Sequence, residues 1–553
     1  MDILNHPINE ANRGILRLQD EVRNIRSQLP NPPARADPIV LVPGFSGWGR
    51  PFLGAVNYFG GFDSLPLALS GLGYRVIVVR IGPFSSNRER ACEIFTQLTH
   101  GGVNPIRSFD SPDAPPTCIP INYATDHPLL NPNALTHAET CKAVLYDPTT
   151  PLSDPLPNPW QWNATNRVNM ICHSQGGTTV RYLIELLSGT SDPHLNQFLG
   201  VDRRGWIKSV VTLGTPHKGT TVTDIVPDIL ASTGIDALID IVTLCSFESR
   251  PNRVYDLHLD HWGFYRQDGE TFRQMRSRIA RDVEEWWVGS HNGLYDDSVR
   301  GTVDLDNFAG APSSNIYYFT MSFCATNGFP DTETVTAAEI NNLLALFPGN
   351  SVLNFMGIWG NILAAGARPL QWLGFLPPLR EILGWVIDVA NNHLRGLGYP
   401  YQVPRPGTQI PRPDMLPFIA FPSYAMGGRD ITPAVNLGIS NQRFRRNDGI
   451  VNTESMDGPS DQTFIENGSF SSHYTTDGAA GVRGRYWHMG ENSTIDHADQ
   501  IGVFTNASTV SLSLSKTPLP LVAMCTLSRL TKLQYDEVKV MYTLFAELAD
   551  RLP

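Results

Sequence analysis

The stretch Val168-Asn169-Met170-Ile171-Cys172-His173-Ser174-Gln175-Gly176-Gly177 decides how the rest of the chain is read. Val168 to Ile171 has the composition of a buried strand, and Thr178 to Leu187 places Val180, Leu183, Ile184 and Leu187 on one helical face. Between them a serine sits among small residues. A sharp strand-to-helix turn of this kind lifts a serine hydroxyl above a sheet, so Ser174 reads as a nucleophile. The usual pattern is Gly-x-Ser-x-Gly, and here Cys172 fills the first small position.

Working outward, Pro38 to Val42 reads as a short apolar strand that runs into the Gly-rich loop Pro43-Gly44-Phe45-Ser46-Gly47-Trp48-Gly49. Such a loop, upstream of a nucleophile turn, is where an acyl-transfer enzyme keeps an amide that binds the oxyanion. Tyr74 to Ile81 and Trp206 to Leu213 are further strands, and a helical pattern follows the Ser174 turn. Strands alternating with helices predict an α/β protein with a mostly parallel sheet, whose catalytic groups lie at the carboxyl ends of the strands. A helix is expected over residues 9 to 28, ahead of the fold proper. Another is expected over Glu537 to Leu552, packed on the sheet.

The chain has 553 residues, of which 41% are apolar and 17% charged, enough for a sizeable core. Its net charge of -11, with no dense Lys/Arg cluster, points away from a nucleic-acid partner. Seven cysteines without C-x-x-C spacing argue against a cysteine zinc site, and Cys118 with Cys141 is the one pairing to test. The first residues, Met1-Asp2-Ile3-Leu4-Asn5-His6-Pro7, carry neither a basic nor an apolar signal region. The default expectation is therefore an intracellular protein.

A serine hydroxyl needs an imidazole to take its proton and a carboxylate to orient that imidazole, in the chain order Ser, acid, His. Several residues compete for these roles on sequence alone. Asp448, Asp457 and Asp496 could be the acid; His473, His488 and His497 could be the base.

Pro38 to Gly49, Gly82 to Glu93, His173 to Gly177, Val254 to Trp262 and Asn447 to Thr453 together resemble the zinc-containing thermoalkalophilic lipases of the Geobacillus type, in the same order. Pro43 stands where that family usually has His. The resemblance implies an α/β-hydrolase fold with a zinc-bearing insertion, a helical lid and, here, an extra helical insertion. The corresponding division is 1-36, an N-terminal helical extension; 37-332, the first part of the core, with the zinc insertion at about 84-160 and the lid at about 220-250; 333-412, an apolar helical insertion; and 413-553, the second part of the core. It implies Ser174, Asp448 and His497 as the triad, with the backbone amides of Phe45 and Gln175 forming the oxyanion hole.

The same resemblance implies a structural zinc held by Glu89, His127, His137 and Asp260, a mixed set of carboxylates and imidazoles that suits Zn²⁺. Glu89 replaces the family's Asp. The family's calcium site transfers poorly, because Phe504-Thr505 replaces an Asp-Pro pair, and calcium binding is not expected. The resembled family is secreted, in contrast to the default drawn from the first residues.

The expected activity is that of a serine hydrolase cleaving carboxylic esters of apolar acyl chains such as acylglycerols, with lipid as partner and transient contact with a lipid surface. A carboxylesterase, acyltransferase or polyester hydrolase would use the same triad. A non-catalytic lipid-binding scaffold is the reading from a different class. The 333-412 insertion could extend the acyl-binding roof, seat the protein on lipid or form a contact between copies.

Overall fold

The computed structural model describes residues 2–31, 35–48, 57–61, 63–99, 143–146, 161–189, 200–226, 235–249, 253, 255–328, 409–412, 415, 417–430, 437–502 and 520–553. His127, His137, Cys118, Cys141, Phe504, Thr505 and nearly all of the 333-412 insertion lie outside these residues.

The strands of the main sheet are β1 (Ile39–Val42), β2 (Val76–Val78), β3 (Val144–Tyr146), β4 (Val168–His173), β5 (Ile207–Leu213) and β6 (Tyr317–Phe323). A short pair, β7 (Thr326–Gly328) and β8 (Gln409–Pro411), stands apart, and β9 (Ile465–Glu466) and β10 (Tyr486–Asn492) complete the main sheet. Its order is β3-β2-β1-β4-β5-β6-β10-β9, and every neighbouring pair is parallel except β2 with β3. The fold is α/β, as the alternation of strands and helices predicts.

Strand alternation assigns the two faces. Ile39, Leu41, Ile171, Val211, Leu213 and Phe319 face one apolar core, where they meet α1 (Arg13–Gln28) and the C-terminal helix Pro520–Arg551. Val40, Val42, Met170, Cys172 and Val210 face the other, against two helices. These are α3 (Asn87–Thr99) and α4 (Gln175–Leu187); α2 (Leu65–Gly71) precedes them in the chain. The apolar residues of α1, Ile15, Leu18, Val22 and Ile25, are all fully buried. This helix is thus part of the first core rather than an appendage. Buried Val538, Met541, Leu544, Phe545 and Leu548 pack the C-terminal helix on the same face, as expected.

The described residues at the two ends of the span 84-160 belong to the main fold. Helix α3 is a core helix on the α4 side, and β3 is the antiparallel edge of the main sheet. At the other insertion, β7 and β8 pair antiparallel, Thr326 opposite Pro411 and Gly328 opposite Gln409. A satellite core joins helix Asp236–Phe247 to helix Phe272–Val288 through Ile239, Val242, Leu257, Phe264, Met275, Ile279, Val283 and Trp286.

Candidate active site

Ser174 stands between β4 and α4 with φ 55° and ψ -133°, a conformation that non-glycine residues rarely hold. Three glycines make the turn possible. A Cβ on Gly176 would lie 2.6 Å from the Val42 carbonyl oxygen, one on Gly177 would lie 2.3 Å from Thr215 Oγ1, and one on Gly44 would lie 2.5 Å from Ser174 Cβ. Cys172 is tolerated because its side chain points into the α4-side core and is fully buried. Although Ser174 occupies the N-cap of α4, its hydroxyl caps no helix amide. Its backbone is fixed from both sides, by its amide donating to Leu213 O at 2.9 Å and by Thr215 Oγ1 donating to its carbonyl at 2.9 Å.

Asp448 is fully buried in the loop after helix Asn441–Phe444, brought beside the end of β6 by the Asn447 carbonyl, which accepts from Ala325 N at 2.9 Å. One carboxylate oxygen accepts from the amides of Ile450 at 3.1 Å and Val451 at 2.8 Å. The other lies 2.7 Å from His497 Nδ1 and accepts from Gln500 Nε2 at 2.6 Å. The His497 amide also donates to the Asp448 carbonyl at 3.0 Å, a second tie between the loop bearing the acid and the turn bearing the base. His497 in turn meets the nucleophile turn through His173, whose ring centroid is 4.5 Å from its own.

The competing residues are engaged elsewhere. Asp457 pairs with the Lys218 ammonium, Asp496 accepts from the amides of Ala498 and Asp499 at 2.9 Å each, and His473 Nδ1 meets Ser469 O at 2.8 Å. His488 Nδ1 lies 3.1 Å from Thr320 Oγ1, and burial pushes this imidazole down to about 4. His217 is buried against Thr212 at 3.0 Å, and burial holds it well below the ordinary imidazole range.

Phe45 is the third residue after β1, and Gln175 follows Ser174 directly. Among the described residues, neither of their amides has a backbone acceptor, which leaves both N–H groups available at a helix N-terminus and its facing loop. The Phe45 loop is held by Ser46 N donating to Pro83 O at 2.8 Å and by the buried guanidinium of Arg90. Arg90 donates to the carbonyls of Pro43, Gly44 (3.3 Å) and Gly82 (2.9 Å) and to Thr179 Oγ1 at 3.0 Å. Burial brings Arg90 down to about 10, still fully charged near neutrality. Sequence reasoning missed Arg90, Tyr58, His173 and Gln500, because the contacts that matter are made across loops far apart in the chain.

Residues 159–353 match the family described as "Lipase-like, C-terminal domain". A lipase of Staphylococcus hyicus is 27% identical over 350 residues, covering 61% of this chain and 47% of its own. Lipase 1 of Staphylococcus aureus strain MRSA252 is 27% identical over 308 residues, covering 53% and 39%. This chain is related to the bacterial lipases. The resemblance read from its sequence holds at that level. It spans less than half the length of these curated lipases. The solved structure of EstA from Clostridium botulinum shares the fold, with a TM-score of 0.51 at 20% identity, covering 93% of this chain and 97% of that one.

The described half of the expected zinc set is already engaged. Glu89 Oε1 accepts from Trp262 Nε1 at 2.8 Å and meets His261 Nε2, while Oε2 accepts from Ser86 N at 3.0 Å and Ser86 Oγ at 3.1 Å. The His261 imidazole helps to hold the buried Glu89 carboxyl below its usual range. Asp260 Oδ1 accepts from the Arg253 guanidinium at 2.8 Å. As they stand, these carboxylates are satisfied by protein donors rather than presented as a free pair of ligands. No group of three His, Cys, Asp or Glu side chains fit to hold a metal occurs among the described residues.

Proposed function

We propose that this chain is a serine hydrolase of the α/β-hydrolase type that cleaves esters of apolar acyl chains, acylglycerols among them. The observation that carries the reading is the strained, uncapped Ser174, whose neighbour His173 meets His497, together with the buried Asp448–His497 pair. Ser174 follows β4 and His497 follows β10, two strands of the parallel part of the main sheet, and the Asp448 loop reaches His497 from beside the end of β6. His497, held by Asp448 with its Nδ1–H toward the carboxylate, takes the Ser174 proton on Nε2. Ser174 Oγ then attacks the ester carbonyl, and the Phe45 and Gln175 amides receive the oxyanion. The same imidazole returns the proton to the leaving alcohol, and water repeats the sequence to free the acid.

Helix Asp236–Phe247 is proposed as the lid. It is anchored to helix Phe272–Val288 rather than to either sheet face, and Arg276 Nη2 holds its first turn at Asp236 Oδ1, 2.7 Å away. Leu238, Ile241 and Leu244 remain only half-buried, an apolar face suited to acyl chains or a lipid surface. A structural zinc held by Glu89, His127, His137 and Asp260 is also proposed. In the structure Glu89 Oε1 accepts from Trp262 and meets His261, and Asp260 Oδ1 accepts from Arg253, so a metal at these oxygens would compete with those donors.

Hydrolysis of p-nitrophenyl esters from short to long acyl chains, by wild type beside Ser174→Ala and His497→Ala, tests the reading. Activity that rises with chain length and vanishes in both variants supports it. Activity that survives Ser174→Ala refutes it.

A further inference from the structure

The two halves of the proposed catalytic machinery, the oxyanion loop after β1 and the His497 turn after β10, come from opposite ends of the chain. Two buried side chains connect them. The Gly44 amide donates to Tyr58 Oη at 2.9 Å, Tyr58 Oη lies 2.8 Å from His173 Nδ1, and His173 Nε2 lies 3.1 Å from the His497 carbonyl oxygen. A carbonyl can only accept, so Nε2 of His173 carries the ring proton and its Nδ1 is bare. Tyr58 must therefore donate to Nδ1, while its oxygen takes the Gly44 N–H. The directions of all three bonds are thus fixed by one carbonyl.

This order requires a neutral imidazole. Burial and the neighbouring His497 hold His173 well below the ordinary imidazole range, so it stays neutral across the pH range in which esterases work. The same Gly44 residue is gripped from its carbonyl side by Arg90 Nη1 at 3.3 Å, and the peptide between that carbonyl and Phe45 is the one whose N–H faces the oxyanion position. Tyr58 is wedged edge-on between Trp48, 5.3 Å away, and Phe59, 5.0 Å away, so its hydroxyl has little freedom to leave the line.

We propose that Tyr58 and His173 are positioning residues that set the oxyanion loop and the catalytic histidine in one register, through the chain Gly44 N–H to Tyr58, Tyr58 O–H to His173, and His173 N–H to the His497 carbonyl. The proposal rests on the hydrolase reading and adds two residues that touch neither substrate nor the reacting atoms. Their effect is on geometry that matters in the transition state, where a displacement of about 1 Å costs on the order of 100-fold in rate.

The test measures kcat and KM on p-nitrophenyl butyrate per active site, counted by stoichiometric inactivation with a p-nitrophenyl phosphonate. Counting sites removes any contribution from unfolded protein. Tyr58→Phe, which keeps the ring and removes the hydroxyl, is expected to lower kcat by about 10- to 100-fold with KM within about twofold of wild type. His173→Leu should do the same. His173→Gln, whose amide can still donate to the His497 carbonyl, should recover several-fold of what His173→Leu loses. A kcat per site within twofold of wild type in Tyr58→Phe overturns the relay, and so does His173→Gln performing no better than His173→Leu. A wild type that takes no phosphonate overturns the relay and the hydrolase reading together, whereas a titratable wild type with an unimpaired Tyr58→Phe overturns the relay alone.

Discussion

Replacing Asp448 with Asn tests the assigned acid with almost no change in shape. The carboxylate accepts four hydrogen bonds, two on one oxygen from the Ile450 and Val451 amides and two on the other from His497 and Gln500. An Asn side chain that keeps the two backbone donors on its oxygen turns its NH₂ toward both His497 Nδ1 and Gln500 Nε2. Rotation of the Gln500 amide offers its Oε1 to the new NH₂, but turns its own NH₂ toward the buried site that oxygen held. His497 has no such escape. Its Nδ1 must accept, the ring proton moves to Nε2, and the nitrogen proposed to take the Ser174 proton can no longer do so.

The same exchange in a well-studied serine protease lowers kcat by about 10⁴, and a comparable loss, about 5 kcal/mol, is expected here. Stability should change far less, by about 1–3 kcal/mol, the cost of leaving one buried donor without its partner. Steady-state hydrolysis of p-nitrophenyl butyrate, normalised to folded protein by near-ultraviolet circular dichroism, measures both. A loss under tenfold would show that Asp448 does not set the tautomer of His497, and the reasoning would fail.

Four further outcomes follow from the same structure. Gly176→Ala should destabilise the protein or abolish the turn, because the new methyl meets the Val42 carbonyl oxygen at 2.6 Å and neither backbone can withdraw; chemical denaturation should show a loss of about 2 kcal/mol or more. Leu18→Ala, at a fully buried position of α1, should cost about 2–5 kcal/mol, whereas a dispensable appendage would lose almost nothing. Burial raises Asp296 to about 7, so the folded state prefers its proton; stability from this group is present below the unfolded value near 4 and is lost as pH rises toward 7. Asp296→Asn should therefore raise the melting temperature at pH 8 and leave it nearly unchanged at pH 4, as read by a thermal melt at each pH. If zinc is bound as proposed, elemental analysis of the dialysed protein should give one zinc per chain and Glu89→Ala should lower it; a metal-free wild type of full stability would dismiss the site.

The nucleophile turn was legible because it is local: strand, serine and helix lie within about twenty consecutive residues, and the glycines that permit the turn are adjacent to the serine. The α/β class followed from the same alternation. Strand β6 escaped notice because Tyr317–Phe323 is buried on both faces and so shows no alternation, and β10 because Gly490, Glu491 and Asn492 give it the composition of a loop. The acid and base could not be chosen from sequence without the family resemblance, since three aspartates and three histidines satisfied the chain order. The structure separates them through their partners, Lys218 for Asp457 and the Ala498 and Asp499 amides for Asp496. The Tyr58–His173 connection left no sequence signal, because its members are 115 residues apart and His173 is easily read as a spectator of the serine beside it.

The most direct measurement is covalent labelling with a fluorophosphonate followed by peptide mass mapping. A single adduct on the peptide carrying Ser174 in wild type, absent from Ser174→Ala, is the result expected of an activated nucleophile in this turn. No adduct on folded wild type, or an adduct that persists on another residue when Ser174 is removed, would contradict the assignment on which the catalytic account depends.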